Sequence, residues 1–182
     1  MKKLTSLFPR VLCIVSSILL FTVPAWSQNG KKLSDAEIAS VAVVANQIDI
    51  DAAKLAQQKS KDAGIRDFAS TMISDHTSVI DKATALVKKL GVTPQDNAVS
   101  QQLRAGAKKT MQSLKTKSGA AFNKTYVDNE VAYHQAVIST VESKLIPEAS
   151  NAELKDLLQS VLPVLRTHLE HAQMVQKNVA SK

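Results

Sequence analysis

From residue 34 onward the apolar residues recur every three to four positions, and no run of alternating β-branched residues is bounded by turn signals. Ser34-x-x-Glu37 is a capping box, so a first helix should start there, with Ile38, Val41, Ala45, Ile48, Ala52 and Leu55 as its stripe. Asp49 and Asp51 flank that stripe, one on either edge. Residues 60–64 leave room only for a tight turn into an antiparallel neighbour. The second helix carries Ile65, Phe68, Ala69, Met72, Ile73, Val79, Ile80, Ala83 and Val87 on one face and stops at Gly91, which suits a left-handed cap. His76 sits in the middle of that face, where the pattern asks for a Leu.

After Thr93-Pro94, residues 98–114 form a further helix with a narrow apolar edge (Leu103, Ala107, Met111, Leu114) and a basic outer face (Arg104, Lys108, Lys109, Lys115). Ser118-Gly119 opens the next helix, with Phe122, Tyr126, Val127, Val131, His134, Val137, Ile138, Val141 and Leu145 inside. Pro147 and Asn151 bracket a turn. The last helix uses Leu154, Leu157, Leu158, Val161, Leu165, His168, Ala172 and Val175, and Pro163 within it removes one backbone bond and should kink it before His168. Four long helices with an intervening one imply up-down-down-up order. The predicted fold is therefore all-α, a ferritin-like four-helix bundle with an extra helix in the crossover between its second and third members.

The first residues read differently. Lys2, Lys3 and Arg10 precede an apolar run over residues 11–23, and Ala25 and Ser27 offer small residues before Gln28. Residues 1–27 are read as a secretory signal peptide cleaved after Ser27, and residues 28–182 as one bundle domain, periplasmic or secreted. The apolar run is shorter than the about 20 residues a membrane span needs. Cleavage removes the only Cys and the only Trp, which excludes a thiol nucleophile, a disulfide and a thiolate metal site. The 23 basic residues include three in the leader and none of the 16 acids lies there, so the remainder keeps a net charge of +4. That favours weak contact with anionic envelope surfaces; without aromatic residues among the basic ones, nucleic-acid binding is not expected.

Depth along the bundle brings the polar residues together. Asp49 and Asp51 lie about 11 to 13 residues before the first turn and His76 about 14 after it, so at 1.5 Å per residue they are level. His134, Glu130 and His168 are level about the last turn. Imidazoles and carboxylates converging in a bundle core suit a divalent ion such as Fe, Zn, Cu or Mn. His76, His134, His168, Asp49, Asp51 and Glu130 are thus the candidate ligands. A buried His–Asp network without metal, in a stress or interaction protein of the envelope, explains the same letters. Asp75 points off the stripe and reads as a solvated charge, His171 as a rim residue, and Met72, Met111 and Met174 as gap-filling core. No haem-attachment motif, phosphate loop or nucleophile elbow is present, so no catalytic residue is assigned.

Several ordered motifs carry a resemblance. Asp49-Ile50-Asp51-x-x-Lys54-Leu55-Ala56-Gln57-Gln58-Lys59, Asp75-His76-Thr77, the run from Ser118 to Asn123 followed by Tyr126, and Leu162-Pro163-x-Leu165-x-x-His168-Leu169-x-x-Ala172 resemble the secreted bacterial family called domain of unknown function 4142. The resemblance implies a ferritin-like bundle with His76, His134 and His168 as characteristic histidines and acids at Asp49 and Asp51. It implies no established activity. Ferritin-like di-iron proteins carry Glu-x-x-His on two helices, whereas Ile73, Val131 and Leu165 stand three residues before the histidines here. A di-iron oxidase pattern is absent.

Overall fold

The computed structural model describes residues 32–181; the predicted leader lies outside the described residues. The elements are α1 (Asp35–Lys59), α2 (Ala63–Lys89), α3 (Ala98–Lys115), α4 (Gly119–Thr140), a π-helical segment (Val141–Leu145), the short α5 (Ile146–Glu148) and α6 (Ala152–Ala180). Among the described residues there is no strand, and no helix is long and apolar enough to cross a membrane.

Local chemistry sets the ends. The Ser34 side chain accepts from the Glu37 N–H, and the Glu37 carboxylate accepts from the Ser34 N–H in return. Asp62, Asn97 and Asn151 cap α2, α3 and α6 through their side-chain oxygens. Gly91 takes φ +63° just past α2, a conformation that strains any residue with a Cβ.

Contacts at the helix ends fix the direction of each element. The Gln95 N–H donates to the Ala36 carbonyl and the Asn97 amide to the Glu37 carbonyl, while Lys59 Nζ reaches the carbonyls of Leu114 and Lys115. α3 therefore starts beside the start of α1 and ends beside its end. Ser60 donates to Asn123 at the opening of α4, and the Leu33 N–H donates to Glu148 at its far end. Lys89 pairs with Glu153 at the start of α6. α1 runs up, α2 down, α3 back up, α4 down and α6 up. Among the four bundle helices α1 and α6 each neighbour both α2 and α4, so these adjacent pairs are antiparallel, whereas α3 packs parallel to α1. This is the up-down-down-up order expected from the chain.

The stripe of α1 is rotated from its expected position. Ile38, Ala39, Val41, Val44, Ala52, Ala53 and Ala56 are buried, whereas Ile48 and Leu55 are half-buried. The alanines let α1 lie close against α2, and the bulkier residues move to the flank. Met72 is buried and Met111 packs at the core edge, but Met174 is 54% exposed and is not core. α6 continues as one helix through Pro163.

The interior is divided along the bundle axis. At the α1–α2 turn end, Phe68, Met72, Phe122, Tyr126, Val127 and Ala172 form one apolar cluster around Ala53 and Ala56. At the other end, Ile38, Val41, Val99, Leu145, Leu154 and Leu158 form a second. Burying each large side chain contributes about 1.5–3 kcal/mol. Between the clusters every long helix places a polar residue: Asp49 on α1, His76 on α2, Glu130 and His134 on α4, His168 on α6.

Candidate metal centre

Burial of this layer is nearly complete. Exposure is 1% for Asp49, Glu130 and His134, 3% for His168 and 4% for His76. An unpaired polar group so deep costs about 1–3 kcal/mol, and a charged one more. Where each polar atom finds a partner is therefore informative.

Each imidazole is held from outside by one ring nitrogen. His76 Nδ1 lies 2.7 Å from Asn46 Oδ1, and the Asn46 amide nitrogen donates to the Ala42 carbonyl at 2.8 Å, which fixes the amide orientation. His134 Nδ1 lies 2.9 Å from the Glu130 backbone carbonyl, one turn earlier on α4. His168 Nε2 lies 2.9 Å from Asp75 Oδ2. All three partners are acceptors, so in each case the imidazole donates and, in the neutral ring, its other nitrogen keeps a bare lone pair. Those other nitrogens, His76 Nε2, His134 Nε2 and His168 Nδ1, are buried without a hydrogen-bond partner.

The rings converge. Their centroids are 5.1 Å apart for His76 and His168, 5.6 Å for His134 and His168, and 5.7 Å for His76 and His134. One nitrogen from each of the three histidines lies within 4.8 Å of the others, and the same holds for single ligand atoms of Asp49, Glu130 and His134. Asp49 Oδ2 is 3.4 Å from His76 Nε2 and 3.5 Å from His134 Nε2, and neither Asp49 oxygen has a hydrogen-bond partner. Glu130 Oε2 is likewise unpaired.

Burial governs the protonation of the layer. It pushes the Asp49 carboxyl up to about 7. It raises Glu130 well above the usual carboxylate range, and the nearby Asp49 adds to this. It lowers His76 to about 3, helped by His134 and His168. His134 falls to about 4, again through burial, with the Glu130 carbonyl opposing and His168 assisting. The His76 and His134 imidazoles are thus neutral, with lone pairs available, and burial favours the protonated form of both carboxyl groups.

Five of the six residues singled out from the sequence meet here. The sixth does not: Asp51 is exposed and accepts from Gln47 one turn earlier. Two residues on from Asp49 is about 200° around a helix, which turns Asp51 to water. His171 is half-buried with its ring edge-on to Phe68 at 5.1 Å, among the apolar cluster. Asp75, expected to be solvated, keeps a 42% exposed side chain but bonds His168 across the α2–α6 interface. Asn46 was not foreseen. Its signal was available, since it stands three residues before Asp49 and shares its helix face. Tyr133 was also missed; its hydroxyl donates to the Ala45 carbonyl while its ring edge abuts His134.

A four-helix bundle with a buried histidine–carboxylate layer is the class this architecture defines. The chain belongs to the family described as domain of unknown function (DUF4142), whose model matches residues 22–175. No curated protein sequence matches it. Among solved structures it is similar in fold to one titled "CopM in the Cu(II)-bound form", with a TM-score of 0.61 and 14% identity, over 81% of this chain and 99% of that one.

Proposed function

We propose that the protein binds one divalent transition-metal ion in the polar layer, through His76 Nε2, His134 Nε2 and His168 Nδ1, with Asp49 as the nearest carboxylate and Glu130 beside it. The observation that carries this reading is the pairing pattern of the imidazoles. Each has one nitrogen tied to an outer acceptor and the other bare and buried within the cluster. Metal-ligating histidines are held in this way, because the outer acceptor fixes the tautomer and raises ligand basicity. The 3.4 and 3.5 Å separations from Asp49 Oδ2 to two of these nitrogens are close to the about 3.3 Å edge of a tetrahedron with 2.0–2.1 Å bonds.

Ligand chemistry narrows the ion. Three imidazoles and a carboxylate without thiolate suit copper, zinc or iron, with manganese weakest in the usual affinity order. The Cu(II)-bound fold neighbour supports testing copper first. With the ligands sealed between helices, the reading is ion binding rather than turnover, since catalytic sites keep an open coordination position. The leader read in residues 1–27 would place this binding in the periplasm or outside the cell. The alternative, a metal-free hydrogen-bonded layer in an envelope protein, uses the same outer bonds. It leaves both Asp49 oxygens and the three inner nitrogens unpaired, which is its weakness.

The test is metal analysis of protein purified without chelator, beside melting of the stripped protein with added copper, zinc, iron or manganese. One ion per chain is expected, with a stabilisation of about 4 kcal/mol at a thousandfold excess over Kd, about 10 °C in Tm. His76→Ala, His134→Ala and His168→Ala should each abolish the rise. A parent that neither carries nor responds to any of these ions rules the site out.

A further inference from the structure

The proposed ion must reach a layer from which water is almost excluded, and the outer partners of the three histidines differ in what they offer it. The partner of His134 is a main-chain carbonyl inside α4. The partner of His76, Asn46, is a neutral amide with both ends engaged, by Ala42 and by His76. The partner of His168 is the Asp75 carboxylate, whose side chain is 42% exposed while that of His168 is 4% exposed. Among the described residues, Asp75 is the charged group that touches both solvent and one of the three rings.

We infer that Asp75 and His168 form the entry point of the site, Asp75 capturing a hydrated divalent cation at the α2–α6 surface and passing it inward past the His168 ring. This rests on the ion-binding reading above and assigns the route by which that site fills. A half-exposed carboxylate attracts a cation from water and raises its encounter rate, whereas the buried carboxylates Asp49 and Glu130 cannot be reached first. A cation arriving on Asp75 Oδ2 competes with the His168 Nε2–H for the same oxygen. Loss of that hydrogen bond frees the ring to move, and its return sets Nδ1 on the ion now inside. No covalent bond changes, and the only exchange is a hydrogen bond for an ion contact and back. Asp75 is therefore a capture and positioning residue, distinct from the inner ligands.

Entry and final affinity separate in kinetics. Metal-free full chain would be mixed with Co(II), whose visible bands report nitrogen and oxygen ligation, in a stopped-flow instrument, and the bound ion then chased with a chelator. In Asp75→Asn, which keeps an acceptor for His168 but no charge, the loading rate should fall at least tenfold at low salt. The release rate should fall in parallel, leaving one ion per chain at equilibrium. Asp75→Glu should restore the loading rate. If Asp75→Asn loads at the parental rate, the inference is overturned whatever happens to release; faster release alone would make Asp75 a simple orienting group. A parent that takes up no Co(II), copper or zinc overturns the site itself and this route with it.

Discussion

Asn46 on α1 holds His76 on α2 by a 2.7 Å bond that the Ala42 carbonyl, gripping the other end of the same amide, prevents from flipping. The imidazole is thereby locked with its proton on Nδ1 and its lone pair on Nε2, 3.4 Å from Asp49. Asn46→Leu removes the acceptor, so His76 loses both its tautomer and its ring orientation. Metal affinity should fall about 10–100-fold with the ligand set itself intact. Asn46→Asp keeps an acceptor and should retain most of the affinity. Competition against a chelator of known strength measures both; equal affinity in Asn46→Leu would show that the lone-pair pattern is incidental.

The pH dependence of the metal-free protein should show two opposing contributions. Burial raises Asp49 from 3.8 to about 7, so its contribution to stability is full below 3.8 and is lost as pH rises through about 7. Burial lowers His76 from 6.5 to about 3 and His134 to about 4, so theirs is full above 6.5 and is lost as pH falls through those values. Asp49→Asn removes the Asp49 contribution, while Glu130, raised in the same direction by burial, remains. In chelator the variant should melt a few degrees above the parent at pH 8, about level with it at pH 4. It should also lose most of the metal-induced rise. Calorimetry at both pH values, with and without ion, gives all four comparisons, and a variant less stable than the parent at pH 8 in chelator contradicts the buried-carboxyl account.

Asp51 offers a control from the same segment. Its carboxylate is exposed and accepts a hydrogen bond from Gln47. Asp51→Asn should change stability by less than about 0.5 kcal/mol and leave ion uptake untouched. A loss of metal in this variant comparable to that in Asp49→Asn would mean that α1 is rotated about its axis relative to the arrangement described.

The different fates of these two aspartates mark how far the sequence could be read. Helix order, caps and topology followed from local signals such as Ser34 with Glu37 and Gly91, and from loop lengths that allow few connections. Counting residues from the turns put Asp49 level with His76, and the two meet. Rotation about the helix axis was less legible, because α1 is rich in small residues on several faces and its packing against α2 decides which is inside. Met174 misled for a related reason: Ala172 and Val175 face the core, and Met174, about 200° around the helix from Ala172, faces out. Asp75 was hidden because its role depends on the neighbouring helix it faces, a tertiary fact that a one-helix periodicity does not contain, whereas Asn46 could be placed on the Asp49 face although its bond to His76 could not.

Tyr126 separates packing from polarity in the same interior. Its ring is fully buried, parallel to Phe122 at 6.2 Å and edge-on to Phe68 at 6.2 Å, while its hydroxyl has no hydrogen-bond partner. Burial raises the phenol well above its ordinary pKa, with Glu130 and then Asp49 adding to the effect, so it stays a neutral donor without an acceptor. Tyr126→Phe keeps the ring contacts and deletes the orphaned group. The metal-free variant should be more stable by about 1 kcal/mol, about 2–4 °C in Tm. Tyr126→Leu, which gives up the ring contacts as well, should be less stable than the parent by about 1–3 kcal/mol. Urea unfolding of the three proteins in chelator orders them. If Tyr126→Phe were the less stable by 1 kcal/mol or more, the hydroxyl would have to be engaged in solution, with Glu130 one turn along α4 as the acceptor to examine.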